Sequence, residues 1–298
     1  MFKSTNLIEF TKTFKEKGDC YAYLSEIKWR NGFECSRCKS KNEIKGYRRF
    51  DKRCQSCFYN ESVTAGTLFH GIKFDILKAF YICFHLSKKK GFSSYQIAQT
   101  YGVNQKTAWL FKCKFQESLK TNTQKEKLEN NVEVDEFTVG GKEEKKQGRS
   151  KGKKKIALIG VEKISDSKIG NIQMVEIEGY TKQEIMDKMN DIIKQDSKVT
   201  TDNFSTYKSI SEDRGNMNTI YSKNGKNFES LHKIIMNFKS WIRGIHHRVS
   251  NFHFGRYLLE FVFRHNNRNY EQGIFHSIIC NFVWSKNKPA HCLRQIVD

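Results

Sequence analysis

Two cysteine pairs restrict the fold of this chain more than any other feature. They read C-S-R-C (Cys35, Cys38) and C-Q-S-C (Cys54, Cys57), with fifteen residues between them. A C-x2-C segment turns tightly enough to aim both sulfurs one way, and two such knuckles close a tetrahedron around Zn²⁺. Four unrelated buried cysteines would not produce two equal spacings. A redox C-x2-C normally stands singly beside a βαβ unit. The spacing therefore predicts a zinc ribbon. Its zinc is structural, because four thiolates leave no ligand position open for chemistry. The N-terminal segment lacks the apolar core of a signal peptide. That predicts a reducing, cytoplasmic compartment, with metal ligands and free thiols in place of disulfides among the nine cysteines.

Charge narrows the partner. Across 298 residues, 53 Lys and Arg face 32 Asp and Glu, a formal net charge of +21. Such a balance points to a polyanion, with nucleic acid ahead of an acidic membrane surface. No stretch reaches the roughly 18 apolar residues of a spanning helix. The nearest, FDILKAFYICFHLS, is short and is broken by Asp75 and Lys78. Hydrophobic residues make up 38% of the chain, enough for a packed core.

Residues 72–119 read as helical. Within them Ser94 is placed to cap a helix through Tyr101, GVN makes a turn, and a second helix starts near Gln105. Apolar Ile97, Ala98, Val103, Ala108 and Leu110 suit a helix-turn-helix that presents Gln105, Lys106 and Trp109 to DNA. A plain helical hairpin would share this pattern. Residues 121–130, polar and without apolar spacing, read as a linker.

Beyond the linker the period changes. VEVDEFTV, KIALIGVEKI and IQMVEIEG read as three strands, followed by an amphipathic helix over 181–195 with Thr181 as cap and Glu184 three residues on. KVTTDN reads as a fourth strand. Two long helices are predicted over 229–247 and 252–267. This order, three strands, a helix, another strand and more helices, is that of an α/β ribonuclease-H-like core. Between the first two strands, Lys142 to Lys155 carries eight Lys or Arg and two Glu. It reads as a solvated loop whose charge also suits a phosphate backbone, with Lys153 and Lys154 at its end.

Acids are scarce here, so their crowding in VEVDEFTVGG is informative. In such a core the first and fourth strands are neighbours. Asp135 on the first, Asp202 at the end of the fourth and Glu260 on the last helix would then converge. Converging carboxylates repel unless cations lie between them. Two Mg²⁺ or Mn²⁺ ions suit all-oxygen ligation and support in-line phosphoryl transfer. The period alone does not choose Asp135 over Glu133 or Glu136. It does place Glu133, Asp135 and Phe137 on one face and Glu136 on the other.

These stretches resemble a DDE-class insertion-sequence transposase of the ISXO-like zinc-ribbon group. CSRC…CQSC followed by TAGTLFH is similar to that family's ribbon. VEVDEFTVGGK and TTDNFSTY are similar to its first two catalytic strands. NFKSWIRGIHHRVSNFHFGRYLLEFVFRHNNR is similar to the block that ends in the third acid. The likeness runs from about Cys20 to Asn267. It implies Asp135, Asp202 and Glu260 as the catalytic acids, and cutting of element ends followed by joining of the 3′-hydroxyl to a target. Ser36 stands where the family has proline, Leu259 where it often has aspartate, and Asn267 where it has arginine. Some relatives use asparagine as third member, which makes Asn266 or Asn267 an alternative to Glu260.

The expected organisation is a ribbon in residues 1–70, a helix-turn-helix in 71–120, a linker in 121–130 and the catalytic domain in 131–298. Double-stranded DNA is the expected partner, contacted by Gln105, Lys106, Lys153, Lys154, Lys239, Arg243, His247 and Arg264. A homodimer or larger assembly would hold two element ends together, in a nucleoid-associated protein. The rival reading is a DNA-binding regulator derived from a transposase and lacking catalysis.

Overall fold

The computed structural model describes residues 1–120, 127–141, 154–165, 168–223, 225–246 and 249–285. Lys153, His247 and most of the basic segment after Gly141 lie outside the described residues. The described residues divide into two units, Met1–Ser118 together with 269–285, and Leu119–Arg268.

The first unit contains helices α1 (Leu7–Thr13), α2 (Lys17–Lys28), α3 (Ile76–Leu86), α4 (Ser94–Tyr101), α5 (Gln105–Ser118) and α10 (Glu271–Trp284). A small antiparallel sheet, β1 (Glu43–Lys45), β2 (Lys52–Cys54) and β3 (Asn60–Glu61), lies between α2 and α3 in the chain. The core is aromatic. Phe275 of α10 packs its ring against Phe2, Phe10, Phe14, Tyr23, Phe80 and Phe84, with centroids 5.2–6.4 Å apart. The backbone N–H of Leu68 donates to Phe282 O at 2.8 Å.

Helix α10 therefore belongs with the N-terminal helices, whereas the sequence reading placed it in the catalytic domain. Its apolar residues are complementary to rings more than 180 residues away, a match that local pattern does not encode. Helix α4 is capped by Ser93, one residue before the expected cap, whose side chain accepts from Gln96 N while Gln96 reaches back to Ser93 N. It stops at Gly102, which takes the left-handed conformation (φ +58°) that glycine adopts without strain. Three residues, 102–104, then lead into α5.

The second unit is a five-stranded mixed sheet in the order β6-β5-β4-β7-β8. Strands β4 (Asn131–Val139), β5 (Lys155–Lys163) and β6 (Ile169–Ile177) form an antiparallel meander. Strands β7 (Lys198–Asp202) and β8 (Met217–Ile220) join it in parallel. Helices α6 (Lys182–Ile192) and α7 (Ser205–Asp213) cover one face, packing on Val132, Val134, Leu158 and Val199. Helices α8 (Glu229–Ile245) and α9 (Asn251–Asn266) cover the other, over Phe137, Ala157, Ile159 and Met174. The pleat alternates these two sets along β4, as the period-2 reading requires.

The expected linker is shorter than its sequence suggests. Leu128 is buried, and its N–H and C=O bond Ile192 O and Lys194 N, so it is already part of the sheet unit. Its apolar side chain was a lone residue in a polar run and carried no periodic signal. Among the described residues no helix is long and apolar enough to cross a membrane.

Removing the Phe275 ring tests the place of α10. Phe275→Ala is expected to destabilise the first unit by about 3–5 kcal/mol, as for a buried Phe cavity. This should appear as a lower urea midpoint; an unchanged midpoint would place α10 outside the core.

Candidate active site and candidate zinc centre

The two cysteine knuckles are built alike. Lys39 N donates to Cys35 O at 3.0 Å, and Phe58 N donates to Cys54 O at 3.0 Å. The residue after each second cysteine, Lys39 and Phe58, has positive φ, 64° and 56°. These turns bring all four sulfurs within 4.8 Å of one another. Cys35 and Cys57 are 3.6 Å apart, and Cys38 and Cys54 are 3.5 Å apart. A ZnS₄ tetrahedron with bonds of about 2.3 Å has edges near 3.8 Å, so the cluster fits zinc. Backbone N–H of Cys57 lowers the Cys54 thiol to a pKa of about 6, towards the thiolate a metal needs. The ribbon is fixed to α2 by Lys28, whose Nζ lies 3.1 Å from Glu61 and donates to Ser62 O and Ala65 O.

Each acid of β4 has its own partner. Glu133 is buried and pairs with Lys163 Nζ of β5 at 3.0 Å. Glu136, on the opposite face, accepts from Tyr207 OH at 2.6 Å. Asp135 accepts from its neighbour Glu136 N at 2.8 Å, and its Oδ2 lies 3.1 Å from His232 Nε2 on α8. Hydrogen bonding to Asp135 raises the pKa of His232 above its ordinary value; the charges of Asp135, Asp202 and Glu133 act in the same sense.

Register puts Asp202 beside Asp135. Glu133 is the parallel partner of Thr200, so two residues further along, Asp135 and Asp202 stand on one face of neighbouring strands. Asp202 Oδ1 accepts from Phe204 N at 3.1 Å, a turn that ends β7 and opens α7. Among the described residues only the cysteines form a closed cage of three or more metal ligands. Asp135 and Asp202 are each partly exposed. Two carboxylates of this kind fit a hard divalent cation.

Glu260 lies on α9. Helix α9 lies over β6, at the sheet edge, whereas Asp135 is on central β4. Glu260 is fully buried and accepts from Nε and Nη2 of Arg264 at 3.1 and 2.6 Å. Arg264, expected on the DNA path, is a correction: its side chain is 8% exposed and is turned inward to Glu260 one helical turn away. Asn266 and Asn267 are likewise structural. The Asn266 amide bonds both N and O of Ile172 in β6, and Asn267 Nδ2 donates to Phe263 O. Arg268 donates to Ile169 O and Gly170 O. The RHNNR stretch thus ties α9 to the sheet edge.

Sequence reasoning missed His232. Its signal was a histidine and a lysine, His232 and Lys239, seven residues apart beside the apolar stripe Leu231, Ile234, Ile235, Phe238 and Ile242. That spacing puts both on one side of α8, towards β4. Lys239 feels the Asp135 charge, while burial and Arg243 lower its pKa. Lys239, Arg243, Lys154, Lys155 and His246 line a cleft of about 710 Å³ floored by Val139 to Gly141, Ile242 and Val249. Of the other expected DNA contacts, Gln105 and Lys106 are exposed at the start of α5.

Residues 127–266 match the family described as the ISXO2-like transposase domain, of the DDE class. The chain carries a DDE transposase domain. Its matched span runs from just before Leu128, where the sheet unit is first tied down, to Asn266, which closes α9 on β6. This domain class implies DNA binding and phosphoryl transfer. No curated protein matches the chain.

Two substitutions probe these sites. Cys54→Ser is expected to remove the bound zinc, measured as metal per chain by elemental analysis, and to lower the stability of the ribbon. Gly225, at φ +85°, leaves no room for a side chain: an added Cβ would lie 2.5 Å from His232 Nδ1. Gly225→Ala is therefore expected to displace the imidazole from Asp135, seen as a change in the His232 ring resonances in the transposase domain. Unchanged resonances would show that the loop yields instead.

Proposed function

We propose that the chain is a DNA transposase that binds the terminal inverted repeats of an insertion sequence and cuts and joins strands at a metal site built on Asp135 and Asp202. The observation that carries the proposal is the β4–β7 register, from which two partly exposed aspartates fall on one face of neighbouring strands. The strand order, an antiparallel meander extended by two parallel strands, supports a ribonuclease-H-like catalytic core. When bound, Mg²⁺ or Mn²⁺ would polarise the scissile phosphate and activate water or a 3′-hydroxyl as nucleophile.

The chain's own residues supply position and charge. Asp135 and Asp202 would hold the cation. His232 stands on the Asp135 carboxylate and is the third polar group of the site, in the role that the family resemblance gives to Glu260. Glu260 with Arg264 serves as a buried ion pair that locks α9. Lys239, Arg243, Lys154 and Lys155 concentrate positive charge in the cleft beside Asp135, where a DNA phosphate would relieve their mutual repulsion. The α4–α5 pair acts as a helix-turn-helix, offering Gln105 and Lys106 to the groove, and the zinc ribbon accompanies it on the element ends. Holding two ends together calls for a homodimer or larger assembly.

Cleavage of labelled element ends with Mg²⁺ or Mn²⁺ tests the reading. Asp135→Ala and Asp202→Ala are expected to abolish cutting and spare end binding. His232→Ala should slow cutting by about 10- to 100-fold, the range for residues that orient a metal ligand. Glu260→Gln should lower stability by about 3–5 kcal/mol, because it removes one charge of a buried ion pair, while folded protein still cuts. Loss of cutting in well-folded Glu260→Gln, with His232→Ala active, would return the third position to Glu260. End binding without cutting by the parent chain would favour the regulator.

A further inference from the structure

The zinc ribbon carries a surface that its metal does not explain. Tyr47, in the turn after β1, is 74% exposed, and Phe58, just past the second knuckle, is 60% exposed. Arg53 of β2 lies between them. Its guanidinium carbon is 5.1 Å from the Tyr47 ring centre and 5.2 Å from that of Phe58. Its Nε donates to Phe58 O at 3.1 Å, which fixes the plane and leaves the two terminal nitrogens as donors. A guanidinium held between two rings loses little freedom on binding, because its geometry is already set.

The net charge of this segment is positive. From Glu34 to Glu61 there are eight Lys or Arg and four Asp or Glu. All four acids are engaged: Glu34 with Lys39, Glu43 with Lys52, Glu61 with Lys28, and Asp51 with the Asn60 amide. Among the described residues no carboxylate pairs with Arg48, Arg49 or Arg53. Phe58 keeps its exposed ring at positive φ, a conformation unfavourable for a bulky residue.

We propose that this face of the ribbon binds an unpaired nucleic-acid strand, with bases stacking on Tyr47 and Phe58 and Arg53 engaging a phosphate or base edge between them. The partner must be polyanionic to suit the arginines, and must offer flat apolar faces to suit the rings. Nucleic acid offers both, but base faces are free only where bases are unpaired. A duplex would use the arginines and leave both rings idle. The inference does not rest on the transposase reading, since this surface would bind whether or not the aspartates cut.

The experiment uses the full, zinc-loaded chain without added Mg²⁺ or Mn²⁺. Fluorescence anisotropy measures binding of a labelled mixed-sequence single strand and of its duplex. The double variant Tyr47→Leu with Phe58→Leu keeps apolar bulk and removes both rings. It is expected to weaken single-strand binding by about tenfold or more, the scale of one to two stacked bases, with duplex binding nearly unchanged. Arg53→Lys, which keeps the charge and loses the planar fork, should weaken the single strand as well. Zinc content at the parent level shows that the ribbon is intact. If the double variant loses zinc, Tyr47→Leu alone gives the same comparison from an exposed side chain outside both knuckles. Equal losses on both DNAs would overturn the proposal in favour of a duplex-binding surface. No loss on either would overturn it too, and leave an acidic protein as the partner this face fits.

Discussion

The parallel pairing of β4 with β7 is the constraint on which the sheet unit turns. Two carboxylates on adjacent strands are unfavourable in a protein interior, where charges are weakly screened. The sheet tolerates them because the pair lies at the end of β7, where the chain leaves for α7, and because α8 brings His232 and Lys239 over the same spot. Were β7 shifted by one residue, Asp202 would face the α6–α7 core and Thr201 would take its place. Burial of Val199 on that opposite face holds the register.

The neighbouring acids make the same point by contrast. Glu133 and Glu136 lie close to Asp135 in sequence, and both have partners inside the fold, Glu133 an ion pair with Lys163 and Glu136 a hydrogen bond from the Tyr207 hydroxyl. Asp135 is the β4 acid that looks towards both Asp202 and the basic cleft. A strand that appears uniformly acidic thus divides into two structural carboxylates and one that faces the site. In the late helix the division runs the other way. Glu260, Arg264, Asn266 and Arg268 form a conspicuous polar block, yet Glu260 pairs with Arg264 within α9, and Asn266 and Arg268 bond the edge strand β6. Such a block anchors a helix as firmly as it could build a site, and sequence alone does not separate the two uses.

Much of this was legible in the chain itself. The ribbon followed from two equal C-x2-C spacings, the strands from alternation, and α6 from its 3.6 period and the Thr181 cap, which accepts from Glu184 N. Strand order also predicted that β4 and β7 are neighbours, which puts Asp135 and Asp202 on one face. His232 was missed because a histidine beside an apolar stripe has no spacing that marks it, and its partner lies 97 residues away. Helix α10 was assigned to the wrong unit because ring-to-ring packing leaves no periodic trace.

The sequence by itself determined the local chemistry: thiolate knuckles, strand and helix periods, caps, a strongly basic surface and the position of Asp135 on its strand. These depend on neighbours a few residues apart, so spacing encodes them. The tertiary structure alone decided which acid each cation faces, that Arg264 turns inward, that His232 meets Asp135, and that α10 closes the N-terminal core. Those outcomes depend on distances between segments far apart in the chain, and packing, with the need to satisfy each buried charge, selects among them.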